Sequence, residues 1–402
     1  MLVSCEKQVD QLNIADRDKE IKIAKKPNYG KRGRIIQLKS NYFKVSKFPR
    51  VPIYHYNFEH TPRTNKKTVE RIYVRLAEEN RFCNCHAVFD GNNAIYSATP
   101  LPIENARRKN QFKVRLTKSN GKDAKVGTYN VTIRFIQLLN FNELEKHISG
   151  GNSSLSEVVK CIASLNTYIN FSVRQKYLTV GRGIYPDDPR EKSIILSGGF
   201  ELKKGFCHSL RAGENCLAIN VDVCASVFYL GGKILDVACR ILGKHSKDEF
   251  HRGMTKTEIM TLLKAWVKII SVHREQRKPI NIVKDLTKEP ASRIIFYYEK
   301  EKRKISIAEY FHLTYGRKLE FEELPCVAVN QDVFLPLEVC EILKGQRFGS
   351  TFADTTLADV IRHTCIKPKE RFNRISYSVK EVFQYQRDPF LKSINMNVES
   401  CN

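Results

Sequence analysis

The sequence predicts a multidomain α+β protein: a mixed α/β domain, a linker, then a small OB-like β-barrel carrying an αβ insertion. Three observations predict it. Strand-like alternation and helix-like spacing are interleaved between Pro27 and Leu138. One long alternating stretch, Asn215 to Tyr229, then leads into a helix stopped by Gly243. After Trp266 the texture changes to many short strands with a single helical insertion, the pattern of small barrels.

In chain order, residues 1–26 are charged and nearly devoid of aromatics, which reads as a tail. Arg34 to Phe43 has a strand's composition, and Val51 to Phe58 alternates aromatic and polar residues. Thr68 to Asn80 has helical spacing. Val88 to Ser97 is a hairpin around Asp90-Gly91, and Tyr129 to Leu138 is a longer strand. Ser154 to Tyr168 predicts a helix with Leu155, Val158, Val159, Ile162 and Leu165 as its apolar stripe. Lys233 to Leu242 predicts another, ended by Gly243, and the polar stretch 244–252 reads as a break between domains. Thr255 and Glu258 form a capping box. Strands follow at Val267–Val272, Ile280–Leu286 and Arg293–Tyr298. Helices follow at Ser306–Thr314, before Gly316, and at Leu337–Leu343, before Gly345. A helix at Ala353–His363 and a basic tail complete the pattern.

The chain has 402 residues, enough for two or three domains, and a net charge of +25. Such a charge adds self-repulsion to the fold and marks a polyanion partner, nucleic acid foremost. No apolar run approaches the ~20 residues of a membrane span, and Met1 to Glu6 is charged too early for a secretory leader. The twelve cysteines are scattered among apolar patterns, as reduced thiols in a cytoplasmic protein would be. Cys83-Asn84-Cys85-His86 lacks the second pair that a zinc finger needs. No paired acids, Walker loop or nucleophile elbow occurs, so no catalytic residue, metal or cofactor is expected.

The densest chemistry runs from His273 to Cys340. Phe296-Tyr297-Tyr298, Tyr310 and Tyr315 supply ring faces and hydroxyls among Arg277, Lys278, Lys302, Arg303 and Lys304. Rings with flanking cations suit the unstacked bases and open phosphates of single-stranded RNA. Phe296, Tyr310 and Leu335 equally suit the packing of a core. Tyr315 lies five residues after Tyr310, so the two rings converge only if the helix ends near Gly316.

These residues resemble the N-terminal half of a eukaryotic Argonaute. The similarity lies in Pro27-Asn28-Tyr29-Gly30, Ile53-Tyr54-His55-Tyr56, Phe89-Asp90-Gly91, Val180-Gly181-Arg182, Gly198-Gly199, and Leu217 to Tyr229. It continues through 250–367 to Asp388-Pro389-Phe390, in colinear order. The resemblance implies an N domain at 27–146, a first linker at 150–203 and a connecting strand and helix at 204–249. It places a PAZ domain at 250–367 and the start of a second linker at 368–402. It also implies that His273, Tyr310 and Tyr315 hold the last phosphate at the 3′ end of a guide RNA, while Phe296 and Leu335 wall its terminal nucleotide. Arg182, Arg277, Lys278, Lys302, Arg303 and Lys304 become candidates for backbone contacts; Lys31, Arg32, Arg34 and Lys39 become candidates for lining a duplex channel. Pro279, Asn281 and Thr314 stand where the family usually has Arg, Tyr and Lys.

The family continues with MID and PIWI domains, for which few residues remain after the PAZ match. The expectation is therefore a non-enzymatic guide-binding part of RNA interference and gene silencing, served by miRNA or siRNA guides. Its expected partners are the guide, its target RNA and MID/PIWI domains or silencing-complex proteins, in the cytoplasm or nucleus and away from membranes. Two alternatives stay open: part of a full slicer endonuclease, or a PAZ adaptor that sequesters small RNA.

Overall fold

A computed structural model describes residues 33–34, 36–80, 82–103, 109–117, 126–188, 193–213, 215–263, 268–271, 280–349 and 354–399. The architecture is α+β. Two large hydrophobic cores are joined by a long two-stranded ribbon.

The first core contains a five-stranded antiparallel sheet in the order Val88–Phe89, Ala94–Ser97, Ile53–Thr61, Val126–Leu139, Lys109–Thr117. The alternation in Ile53–Thr61 slips at a bulge between His55 and Tyr56, which lets Ile53, Tyr56 and Phe58 all face inward. The expected hairpin is present: Asp90 Oδ1 accepts from the backbone N–H groups of Asn92, Asn93 and Ala94 at 2.8–3.0 Å. Helix Lys66–Glu79 buries Val69, Ile72, Tyr73, Leu76 and Ala77, and Asn65 caps it by accepting from Thr68 N. Helix Leu155–Lys176 outruns its expected end because Ile169, Phe171 and Val173 continue the buried stripe.

The ribbon pairs Phe200–Gly213 with Cys216–Tyr229 over its whole length, from Phe200 opposite Tyr229 to Gly213 opposite Cys216. It is the spine of a seven-stranded sheet. Tyr42–Lys47 and Asn397–Val398 lie on one side; Gly183–Tyr185, Leu178–Val180 and Ile194–Leu196 lie on the other. The strand expected at Arg34–Phe43 is displaced to Tyr42–Lys47. Ile36 and Leu38 are exposed, and pairing begins only where Asn41 engages Val221 through both its backbone carbonyl and its Nδ2. Gly205 faces Cys224 across the ribbon, and a Cβ there would run into the Ile184 carbonyl and the Tyr185 ring. Gly205→Ala is expected to destabilise the chain by about 1–3 kcal/mol, read as a lowered thermal midpoint.

Residues 368–399 are not a tail. Helix Pro368–Tyr377, a π-helical turn Ser378–Phe383, helix Pro389–Ser393 and strand Asn397–Val398 return to the first core. Ile375, Val379, Val382 and Phe383 recur at helical spacing beneath the basic residues that give the segment its polar look. Arg371 forks onto the Asp222 carboxylate of the ribbon, and Asp388 caps the last helix by accepting from Phe390 N and Leu391 N. A buried ladder completes the joint. Asn170 donates to the Asn166 carbonyl, Asn170 Oδ1 lies 3.1 Å from His208 Nε2, and His208 Nδ1 lies 2.6 Å from the Tyr385 hydroxyl.

The second core is enclosed by two small antiparallel sheets. One runs Gly232–Lys233, Cys340–Ile342, Lys268–Ser271, Ile280–Ile282; the other runs Asp285–Pro290, Pro325–Ala328, Phe334–Pro336. The αβ insertion is the hairpin Ile295–Tyr298/Arg303–Ser306 followed by helix Ile307–Tyr315. Helix Ile234–Leu242 and Phe250 share this core, and the polar stretch around Phe250 is a capped 3-10 helix, Lys247–Arg252. The capping box at Thr255 and Glu258 is present. The helix expected at Leu337–Leu343 is instead a single 3-10 turn, Leu337–Val339, followed by strand Cys340–Ile342. Its residues bury Cys340 and Ile342 while pairing with strands on both sides.

Entry to and exit from the second core run side by side. Tyr229 N donates to Gln346 O at 2.8 Å, and Phe348 N donates to Val227 O at 2.9 Å. Phe348 and Val360 pack there against a small cluster of Leu196, Leu202 and Val227.

Candidate nucleic-acid interface

The αβ insertion carries the rings. In strand Ile295–Tyr298, Phe296 and Tyr298 share one face by the two-residue repeat, and helix Ile307–Tyr315 covers that face. Ser306 starts the helix by accepting from Glu309 N, and Gly316 ends it in the left-handed conformation at φ 62°. Ending there swings Tyr315 back onto Tyr310.

Ring centroids of Phe296 and Tyr310 lie 5.4 Å apart, Tyr298 and Tyr310 5.7 Å, and Tyr310 and Tyr315 5.8 Å, all edge-on. Phe296 is 37% exposed, and Tyr310 and Tyr315 are half-buried against the second core, so this is a cluster at a surface. Leu335 is buried on strand Phe334–Pro336 opposite Val327, in the core beneath the insertion helix.

The remaining candidates divide. His273, Arg277 and Lys278 lie outside the described residues, as do Pro279, Lys31 and Arg32. Asn281 is half-buried on strand Ile280–Ile282, and Thr314 Oγ1 lies 3.5 Å from the Tyr298 hydroxyl. Arg182 is exposed at the turn between Leu178–Val180 and Gly183–Tyr185. Lys302 and Lys304 are exposed, and their side chains make no hydrogen bond or ion pair among the described residues. Arg303 is engaged by two carboxylates at 2.7 Å, Glu309 and Glu301, and both raise its pKa. Lys39 sits over the Phe372 ring at 5.4 Å. Tyr298, named above among the rings but given no place at the 3′ end, joins the cluster, and its spacing from Phe296 is the signal that puts both on one strand face. Among the described residues no cluster of His, Cys, Asp or Glu is arranged to hold a metal, and no helix is long and apolar enough to cross a membrane.

Three families match in sequence along these units. The N-terminal domain of argonaute covers residues 34–169, the Argonaute linker 1 domain covers 179–229, and the PAZ domain covers 236–360. The chain belongs to the Argonaute family. It is 26% identical over 392 residues to protein argonaute PNH1 of Oryza sativa subsp. japonica, covering 94% of this chain and 39% of the rice protein. The crystal structure of Kluyveromyces polysporus Argonaute with a guide RNA shares the fold, with a TM-score of 0.60 and 16% identity over 94% of this chain and 45% of that one. This Argonaute chain thus spans about two fifths of the length of the curated relative it matches, and its insertion rings fall within the PAZ match.

Proposed function

We propose that this chain binds a small guide RNA as a single strand, anchoring the 3′ end on the PAZ ring cluster, in RNA-mediated silencing in the cytoplasm. The observation that carries this reading is the convergence of Phe296, Tyr298, Tyr310 and Tyr315 at a surface rather than in an interior. Tyrosine hydroxyls donate to a phosphate without the desolvation cost of burying an ammonium group. Stacking on a ring contributes about 1–3 kcal/mol whatever the base, as a protein serving many guides requires. His273 would complete the phosphate site, and Leu335 would back the rings from beneath. Target RNA would pair with the guide, and the N domain would meet the duplex at the guide's distal end.

The test compares RNA duplexes with a short 3′ overhang against blunt ones. Tyr310→Ala and Tyr315→Ala should each weaken the overhang-dependent affinity about 5- to 100-fold, leaving blunt-duplex binding as it is. Unchanged overhang binding in both variants would remove the ring cluster from the site.

A second reading is favoured by the coverage of the rice relative. In it these modules serve a longer slicer endonuclease, with MID and PIWI domains on the same polypeptide or supplied by a partner. Guide-directed cleavage by cell-purified native protein, set against its absence with this chain alone, separates the two.

A further inference from the structure

The insertion hairpin has two faces, and only one meets the helix. On the inner face Phe296 and Tyr298 pack on Tyr310, Ile305 opposite Phe296 is buried, and Arg303 opposite Tyr298 pairs with Glu309 of the helix. Residues directly opposite across an antiparallel pair share a face. Ile295, Tyr297 and Lys304 therefore point the other way, with Tyr297 directly across from Lys304.

Nothing among the described residues covers that outer face: Ile295 is 62% exposed and Tyr297 58%. The side chains of Tyr297, Lys302 and Lys304 make no hydrogen bond or ion pair with the described residues. The local charge favours a polyanion. Arg303 draws Glu301 and Glu309 to itself, while Lys300, Lys302 and Lys304 have no carboxylate engaged among the described residues, and the four cations outnumber Glu299, Glu301 and Glu309 by one. A bare ring flanked by free ammonium groups is the arrangement that holds an unpaired base between its phosphates. A duplex keeps its base faces stacked inside, so it offers Tyr297 nothing to stack on.

We propose that the outer face of this hairpin is a second stacking surface for single-stranded RNA, with Tyr297 receiving an unpaired base and Lys302 and Lys304 taking the flanking phosphates. This rests on the small-RNA reading above and adds a contact that does not need the strand's end. A strand whose terminus enters the inner rings would be gripped a second time on the reverse side of the same ribbon.

The experiment uses the full chain, a short fluorescent uridine RNA with a free 3′ hydroxyl, and the same RNA closed by a 3′ phosphate. Tyr297→Ala is expected to weaken both RNAs about 5- to 100-fold, while Tyr297→Phe binds both like the parent. Tyr310→Ala should weaken only the free-ended RNA. Unchanged binding of both RNAs by Tyr297→Ala, with Tyr310→Ala still impaired, overturns the outer surface and leaves end anchoring standing. A Tyr297→Ala loss confined to the free-ended RNA also overturns it, by placing Tyr297 in the end site. No change in either variant overturns both readings. The exposure of Tyr297 predicts an unaltered thermal midpoint for its variants, which separates lost binding from lost folding.

Discussion

A chain cut after Lys367 is expected to lose the cooperative unfolding transition of its first core. The removed segment supplies Ile375, Val379, Val382, Phe383, Tyr385, Leu391, Ile394, Met396 and Val398 to that core, all buried. Burying one such side chain contributes about 1.5–3 kcal/mol, so leaving even a few of their contacts unmade is a large fraction of the ~5–15 kcal/mol by which a domain is normally stable. The deletion leaves uncovered apolar surface on the part that remains. Phe171 loses the Phe390 ring at 4.8 Å, Phe206 loses Phe383, and strand Tyr42–Lys47 loses its edge partner. Segment-resolved hydrogen exchange under increasing urea should show the first core unprotected and the second still protected. Full protection of the first core in the shortened chain would refute this.

Acidification from neutral pH is expected to weaken the same joint through His208. Asn170 spends its amide N–H on the Asn166 carbonyl, so its Oδ1 accepts from His208 Nε2, and His208 Nδ1 accepts from the Tyr385 hydroxyl. These directions hold for the neutral ring; protonating Nδ1 would place a charge in a buried site and turn the Tyr385 hydroxyl from donor to acceptor. Burial, with the Arg174 charge second, pushes the His208 pKa down to about 3, against about 6.5 in an unfolded chain. Between those values the unfolded state holds more protons, so stability falls as pH falls, at up to about 1.4 kcal/mol per pH unit. The loss starts near pH 6.5 and ends near pH 3. His55 and His60, both also lowered chiefly by burial, add to it with the same sign. Urea unfolding across this range should show a shallower pH slope for His208→Gln, at lower overall stability. An identical slope in the variant would assign the acid sensitivity to other groups.

The parts of this fold that were legible from residues are those whose cause is local. Asp90-Gly91 makes its own turn, Gly243 and Gly316 stop their helices, and Thr255 with Glu258 starts one. What escaped is decided at a distance. Strand Phe200–Gly213 breaks its apolar pattern with Lys203, Lys204 and Gly205, and it is a strand because Cys216–Tyr229 lies beside it. Leu337, Cys340 and Leu343 recur at a spacing compatible with a helix, and the two strands beside Cys340–Ile342 settle the matter. The segment after Lys367 hides a helical stripe under its charge, and only the first core shows where that stripe goes. The same division holds at the ring cluster. The approach of Tyr315 to Tyr310 follows from a stop signal one residue away. The capture of Arg303 by Glu309, and the choice of the Phe296 and Tyr298 face over the Tyr297 face for burial, depend on where the insertion helix packs.

The paired ribbon has a mechanical consequence. Fourteen registered residue pairs make a beam about 45 Å long, and bending it would break ladder hydrogen bonds in series. The beam ends at Tyr229, where the outgoing chain at Leu230–Gly232 and the returning chain at Lys344–Gly345 lie abreast, with Gly232 and Gly345 both at positive φ. Load on the PAZ portion therefore enters the beam at this junction, through both chains and through Phe348 and Val360 packed beside them.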